Sequence, residues 1–188
     1  MDKQQFFHSH LQPGSIVFDV GANVGFYTLL SSVIVGETGH IFAFEPLPRN
    51  LDLLQKHLTL NKLENVTVLP LAIADRVGTA QFEQGPRHTW GRIGDHGDIN
   101  VKISTLDFLL ELQQVKIPDF IKIDVEGAEV DVLRGGENLL RSYSPVIILE
   151  THGEELYTEC VSLLKQYGYE VHDFVAATQE REIFAVKK

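Results

Sequence analysis

Apolar runs typical of buried strands alternate along the chain with runs of helical spacing. The strand-like runs occupy residues 16–20, 40–45, 66–73, 119–125 and 145–150, and the C-terminal part adds two more. Helix-like runs follow the first two strands, around residues 26–30 and 51–58. Strands that alternate with helices form a parallel sheet covered on both faces. The pattern therefore predicts an α/β fold.

One stretch interrupts this alternation. Residues 79–83 and 100–104 alternate apolar and polar positions as edge strands do, which predicts a small β insertion around residues 79–104. Between them lies a long glycine-rich loop, residues 85–98, which carries the chain's one tryptophan, Trp90. Loops of this length in compact domains are commonly functional lids or disordered segments. Trp90 either stacks on a flat acceptor molecule or pins the loop onto the domain, and both interpretations stay open.

Composition bounds the class of protein. The chain has 188 residues, of which 44% are hydrophobic and 22% charged, so we predict a single globular domain over residues 1–188. A formal net charge of -10 argues against nucleic acid as a partner, because nucleic-acid binders normally present a basic face. The first residues lack the features of a signal peptide, and no run of about 18 apolar residues occurs. We expect a cytoplasmic protein without membrane insertion.

A glycine turn joins the first strand to the first helix and reads Asp19-Val20-Gly21-Ala22-Asn23-Val24-Gly25. Its glycines let the backbone pass close to a ligand, and the helix that follows directs free N–H groups at an anionic group. Dinucleotide enzymes use the spacing G-x-G-x-x-G around a pyrophosphate, which an acid at Asp19 would repel. An ammonium-bearing ligand such as S-adenosylmethionine suits this turn better. We predict that it binds this cofactor through Asp19, Gly21, Ala22, Asn23 and Gly25.

A second marker follows the next strand, which ends in Glu45-Pro46. A strand-terminal acid at this distance from the glycine turn can accept hydrogen bonds from both hydroxyls of a ribose. Proline stiffens the turn that follows. We therefore add Glu45 and Pro46 to the predicted cofactor site.

Together with three later segments, these motifs resemble the FkbM family of class I S-adenosylmethionine-dependent methyltransferases. The segments are Thr105-Leu106-Asp107, the run from Phe120 to Glu129, and Ile148-Leu149-Glu150-Thr151-His152. The resemblance covers nearly the whole chain. It implies a Rossmann-like, doubly wound, mostly parallel sheet of seven strands with an antiparallel last strand. It also implies methyl transfer, usually to an oxygen, in sugars, lipids or natural-product scaffolds. Ala72 aligns with the position that reads adenine in this fold, so backbone groups would recognise the base.

Four polar residues follow two of the strands near their carboxyl ends, where open α/β sheets bind ligands. They are Asp124, Glu126, Glu150 and His152. A hydroxyl acceptor needs a base, and His152 has the most suitable unperturbed pKa. We predict that Glu150 orients the base or the acceptor and that Glu126 contacts the acceptor. In the resembled fold Asp124 lies near the methionine end of the cofactor or near the acceptor.

Other interpretations remain for these residues. The same four side chains could hold a magnesium ion, although no strict metal motif is present and we favour a site without metal. Glu129 and Asp131 fall in the first turn of the next helix, where acids favour the helix dipole, and we assign them no chemistry. A nicotinamide-dependent oxidoreductase would suit the fold, but the pattern Y-x-x-x-K fails at every tyrosine. A nucleoside-binding domain without turnover is the third alternative.

The segment before the first strand is about fifteen residues long. That is shorter than the helical cap that many class I methyltransferases place over the acceptor. Closure of the site over a small-molecule or glycan acceptor must then come from elsewhere. The 85–98 loop is one candidate and a second subunit is another, so a homo-oligomer is a further possibility.

Overall fold

A computed structural model describes residues 3–84, 91–93, 97, 99–174 and 181–187. The helices are α1 Lys3–His10, α2 Phe26–Val35, α3 Pro48–Asn61, α4 Leu106–Glu111, α5 Glu129–Gly135, α6 Glu137–Tyr143 and α7 Glu154–Gln166. The strands are β1 Ile16–Val20, β2 His40–Phe44, β3 Val66–Leu69, β4 Ala72–Ile73, β5 Gly78–Gln84, β6 Gly91–Ile93, β7 Ile99–Ser104, β8 Phe120–Ile123, β9 Val146–Thr151, β10 Glu170–Asp173 and β11 Arg181–Val186. No helix in the described ranges is long and apolar enough to cross a bilayer.

Seven strands form the main sheet in the order β10-β11-β9-β8-β1-β2-β3. The strands from β9 to β3 pair in parallel, whereas the last strand, β11, runs antiparallel to both of its neighbours. This confirms the predicted doubly wound α/β fold. The central strands β1, β2 and β8 end at the same edge, so their carboxyl ends can share one ligand site.

Both faces of the sheet are covered, because the central strands are apolar on both sides. Phe18, Ile121 and Leu149 belong to a core shared with residues of α4 to α7. On the opposite face, Val17 and Phe120 pack with Phe6 and Phe7 of α1 and with residues of α2. Two charged residues, Asp19 and Lys122, interrupt this apolar pattern, and both are buried.

A second sheet, in the order β4-β7-β5-β6, forms the insertion. The apolar run at 66–73 was predicted as one strand, but it divides into β3 and β4, which belong to different sheets. Pro70 lies at the break, and proline has no N–H to give to a central ladder. Residues 91–93, predicted as part of a loop, form β6 and pair antiparallel with β5.

Candidate active site

A cleft opens at the carboxyl ends of β1, β2 and β8. The glycine turn after β1 and the turn after β2 form one side of it, and the segment after β8 forms the other. Ile73 and Phe82 add apolar surface from the small sheet. The insertion therefore contributes to the cleft as well as to the fold.

Glu45 follows β2 and accepts hydrogen bonds from three other residues that line the cleft. Its Oε2 accepts a hydrogen bond from the backbone N–H of Asn23 at 2.9 Å. Its Oε1 accepts from the N–H of Leu47 at 2.9 Å and from Nδ2 of Asn50 at 3.2 Å. Burial raises the pKa of Glu45, and these donors partly offset that rise. A carboxylate has about four acceptor positions, and the described residues occupy three, which leaves one for a ligand hydroxyl instead of the two that were predicted.

Six of the nine residues predicted to bind the cofactor line this cleft: Gly21, Asn23, Glu45, Pro46, Ala72 and Asp124. The other three do not. Ala22 packs against Leu54 and Leu58 of α3, and Gly25 lies directly before α2. Asp19 is only 1% exposed and does not reach the cleft wall.

Asp19 instead faces Lys122, its partner in the β1–β8 register. Lys122 Nζ lies 3.1 Å from Asp19 Oδ1, and Asp19 Oδ2 accepts a hydrogen bond from Thr28 Oγ1 at 2.6 Å. The same Nζ donates to the carbonyl oxygen of Gly21 at 2.8 Å. The acid that was expected to meet the cofactor's ammonium group therefore pairs with an ammonium group of the protein itself.

Gly21 needs to be glycine at this place. Its φ is +77°, and a Cβ here would lie 1.9 Å from the carbonyl oxygen of Asp124. Any side chain would therefore push the turn after β1 away from the end of β8. The close approach brings the glycine turn and Asp124 to the same cleft.

His152 lies between two glutamates beyond the end of β9. Its Nδ1 is 2.7 Å from Oε1 of Glu129, and its Nε2 is 3.3 Å from Oε2 of Glu126. Glu129 is fully buried, and its Oε1 also accepts from the N–H of Gly127 at 2.8 Å. The hydrogen bond to Glu129, which outweighs burial, raises the pKa of His152 to about 9. At neutral pH its imidazole is therefore a cation in this structure.

The structure brings Asp124, Glu150 and His152 together: one ligand atom from each lies within 4.8 Å of the others. Glu150 already has a cationic partner, because Lys3 of α1 lies 2.9 Å from its Oε2. Lys3 also contacts Glu182. Glu182 is directly opposite Glu150 in the β9–β11 register. Lys3 thus neutralises two acids that would otherwise repel each other across the strands.

Of the two residues predicted to meet the acceptor, Glu126 lines the cleft beside His152. Trp90 lies outside the described residues, so its role stays a prediction. Glu126 has a φ of +48°, in a tight turn with Gly127 at +103°. This turn carries the chain from β8 into α5 and so sets where Glu126 and Glu129 lie.

The sequence profile of the methyltransferase FkbM domain matches residues 19–171, which include the glycine turn, Glu45 and the whole His152 cluster. The chain belongs to this family. Hexuronic acid methyltransferase AglP of Haloferax volcanii is 32% identical over 137 residues, which cover 71% of this chain and 54% of AglP. The 2-O-methyltransferase NoeI of Sinorhizobium fredii is 26% identical over 166 residues, with coverage of 78% and 67%. The chain thus spans about half the length of AglP.

The fold of this FkbM domain also matches solved structures. Methyltransferase FkbM from Methylobacillus flagellatus superposes with a TM-score of 0.68 at 15% identity. The match covers 97% of this chain and 50% of that one. At this identity the likeness concerns the fold, and it agrees with the predicted Rossmann-like arrangement.

Sequence reasoning missed three charged residues of the FkbM domain's site. Glu129 was assigned no chemistry, yet it is buried and bonded to His152. Lys122 was not singled out, although a lysine inside the apolar run Phe120–Ile123 is a signal in itself, since lysine is almost never buried without a partner. Lys3 gave no signal, because its partners are far away in the sequence.

Proposed function

We propose that this protein transfers a methyl group from S-adenosylmethionine to a hydroxyl group of a sugar or natural-product acceptor. Membership of the FkbM family is the observation that carries the proposal. AglP is named as acting on a hexuronic acid, and NoeI is named as a 2-O-methyltransferase. The name of NoeI gives oxygen as the methylated atom, and the name of AglP gives a sugar acid as the acceptor. The acidic balance of the chain supports the prediction that the acceptor is not a nucleic acid.

The cleft has the donors and acceptors that this cofactor requires. Glu45 would accept a hydrogen bond from a ribose hydroxyl, while Ala72 and its neighbour in β4 offer backbone groups to the adenine. Gly21 and Asn23 would hold the methionine part beside Asp124. When bound, S-adenosylmethionine supplies an electrophilic methyl group on a sulfonium. Its positive charge suits a cleft in which Glu45, Asp124 and Glu126 are the charged lining residues.

His152 is the general base in this proposal. Among the described residues, Glu126 lines the cleft and His152 does not: Nε2 of His152 lies 3.3 Å from Oε2 of Glu126, whereas its Nδ1 is held by Glu129. A base must be neutral to take the hydroxyl proton, and a pKa of about 9 means that His152 must first lose a proton. Glu129 then orients the ring and stabilises the imidazolium that forms when the hydroxyl proton arrives. Methyl transfer should consequently be faster in alkaline solution.

The three acids around His152 have separate roles in the proposal. Asp124 places the reacting hydroxyl near the methyl group, Glu150 orients the base or the acceptor, and Glu126 accepts from another hydroxyl of the acceptor. A divalent cation held by these residues would be a different way to acidify the hydroxyl. We favour the site without metal, because Lys3 already supplies a positive charge to Glu150. Trp90 stays a candidate for stacking on the acceptor.

The test is direct observation of the product. The purified protein is incubated with S-adenosylmethionine and a panel of neutral sugars, hexuronic acids, lipids and polyketides, and products are analysed by mass spectrometry. A mass increase of 14 Da, the mass of an added CH2, on a hydroxyl is the expected result. Hydride exchange with NAD(P) and no methylated product would favour the oxidoreductase alternative. Cofactor binding without any product across the panel would favour a nucleoside-binding domain without turnover.

A further inference from the structure

We propose that Lys122 is a positioning residue of the cofactor cleft: its ammonium group holds the glycine turn and Asp124 in the arrangement that binds the cofactor. The inference rests on the proposed function, because it takes S-adenosylmethionine as the ligand of the cleft. It concerns a residue that lies beneath the cleft wall rather than on it. Lys122 is only 5% exposed, so it acts through the groups that it holds.

The geometry that carries this inference is a three-way contact. Lys122 Nζ lies 2.8 Å from the carbonyl oxygen of Gly21, 3.1 Å from Oδ1 of Asp19 and 3.7 Å from Oδ2 of Asp124. The contact with Gly21 is a hydrogen bond, whereas the contacts with Asp19 and Asp124 are ion pairs, and the one with Asp124 is too long for a hydrogen bond. Two of the three residues, Gly21 and Asp124, line the cleft. Gly21 follows β1 and Asp124 follows β8, and the ammonium group of Lys122 contacts both.

Asp19 has a different part in the arrangement. It does not line the cleft, and its position opposite Lys122 in the sheet register makes it the counter-ion of the ammonium. A buried ion pair is a weak source of stability, because the cost of removing both charges from water offsets their attraction. The pair instead fixes the position of the ammonium group. Asp19, fixed by Thr28 of α2, holds Nζ where it can bind the Gly21 carbonyl.

The alternative is that Lys122 only balances the charge of Asp19. The two roles separate when both charges are removed together. Replacing a buried ion pair by apolar residues of similar size is often neutral for stability, whereas removing one partner leaves a costly buried charge. Lys122→Met should therefore lower the melting temperature, and Asp19→Leu combined with Lys122→Met should recover most of that loss. Neither variant has a donor for the Gly21 carbonyl.

The experiment measures the Kd of S-adenosylhomocysteine by calorimetry, together with the melting temperature, for the wild-type protein and both variants. We expect both variants to bind at least about 10-fold more weakly, because the Gly21 carbonyl and Asp124 lose the ammonium group that holds them. Lys102→Met, at an exposed position of β7, is the matched control and should leave Kd unchanged. If the double variant recovers both the melting temperature and the wild-type Kd, Lys122 acts only as the counter-ion of Asp19, and the inference is overturned.

The outcomes also separate this inference from the proposed function. If the wild-type protein does not bind S-adenosylhomocysteine, the proposed cofactor is wrong and the inference falls with it. If the wild type binds and the variants bind equally well, only the inference is overturned. Weak binding by the stability-restored double variant supports it, because a purely structural lysine would not produce that result.

Discussion

Glu129 and His152 are joined by a hydrogen bond of 2.7 Å between Oε1 and Nδ1, although 23 residues separate them in the chain. Glu129 begins α5, and His152 follows β9. The other carboxylate oxygen of Glu129 is buried without a hydrogen-bond partner among the described residues. The bond orients the imidazole and holds a proton on it. Any base chemistry at His152 therefore depends on a residue that does not reach the cleft.

The first prediction concerns the pH dependence of methyl transfer. Because the pKa of His152 is raised to about 9, kcat/KM should rise with pH up to about 9 rather than level off near pH 7. His152→Ala should lower turnover by roughly 10²- to 10⁴-fold, the usual contribution of a general base, and should remove this limb of the profile. Turnover per folded molecule is measured against pH for both proteins.

The control for this experiment is His172→Ala. His172 lies on β10, 3.7 Å from Glu170 and outside the cleft, so its replacement should leave the profile unchanged. If His152→Ala keeps the wild-type profile, the assignment of His152 as the base is wrong.

The second prediction ranks the two glutamates that hold the proton on His152. The hydrogen bond from Glu129 is the largest cause of the raised pKa, whereas Glu126 acts by charge alone and is partly exposed. Glu129→Gln should therefore lower the pKa of His152 further than Glu126→Gln does. Titration of the His152 ring protons by NMR gives the pKa of His152 in the wild type and in the two variants. Equal shifts in both variants would contradict the ranking.

The third prediction is the pH dependence of stability. A group whose pKa is higher in the folded than in the unfolded protein stabilises the fold below its unfolded pKa and loses this contribution as pH rises through the folded pKa. For His152 the window runs from about 6.5 to about 9. The difference in unfolding free energy between wild type and His152→Asn should therefore shrink across this window. Urea unfolding at pH 6, 7.5 and 9.5 measures it, and a constant difference would refute the linkage.

The fourth prediction concerns the ribose contact. Glu45→Gln keeps the size of the side chain but removes the charge, so S-adenosylhomocysteine should bind about 10- to 150-fold more weakly. Glu64→Gln, at an exposed position before β3, is the matched control. Calorimetry gives both dissociation constants. An unchanged Kd for the Glu45 variant would remove Glu45 from the cofactor site.

The fifth prediction distinguishes the two ways of activating the hydroxyl. With Lys3 bound to Glu150, we expect a chelator such as EDTA to leave methyl transfer unchanged. The rate is measured after dialysis against the chelator and again after addition of magnesium. Loss of activity with chelator and recovery with magnesium would reassign Asp124, Glu126, Glu150 and His152 as metal ligands or their supports.

Much of this fold could be predicted, because strand and helix periodicity are local properties of the sequence. The alternation of apolar runs predicts the parallel sheet, and the resemblance to the family supplies the antiparallel last strand. The break at Pro70 was missed, since an apolar run hides a change from one sheet to another. The candidate site was predicted only in part. A motif can show that Asp19 is important, and its apolar surroundings can mark Lys122, but that the two are partners becomes visible only when β1 and β8 are paired.

The contact of Lys3 with Glu150 has a practical consequence for the proposed methyl transfer. The charge balance at the acceptor end depends on one residue in the first turn of α1, whereas the described walls of the cofactor cleft come from residue 20 onward. We expect substitution of Lys3, which leaves the buried Phe6 and Phe7 of α1 in place, to change which acceptors are used while the affinity for S-adenosylmethionine is kept. Libraries for retargeting can therefore begin at position 3 instead of in the sheet.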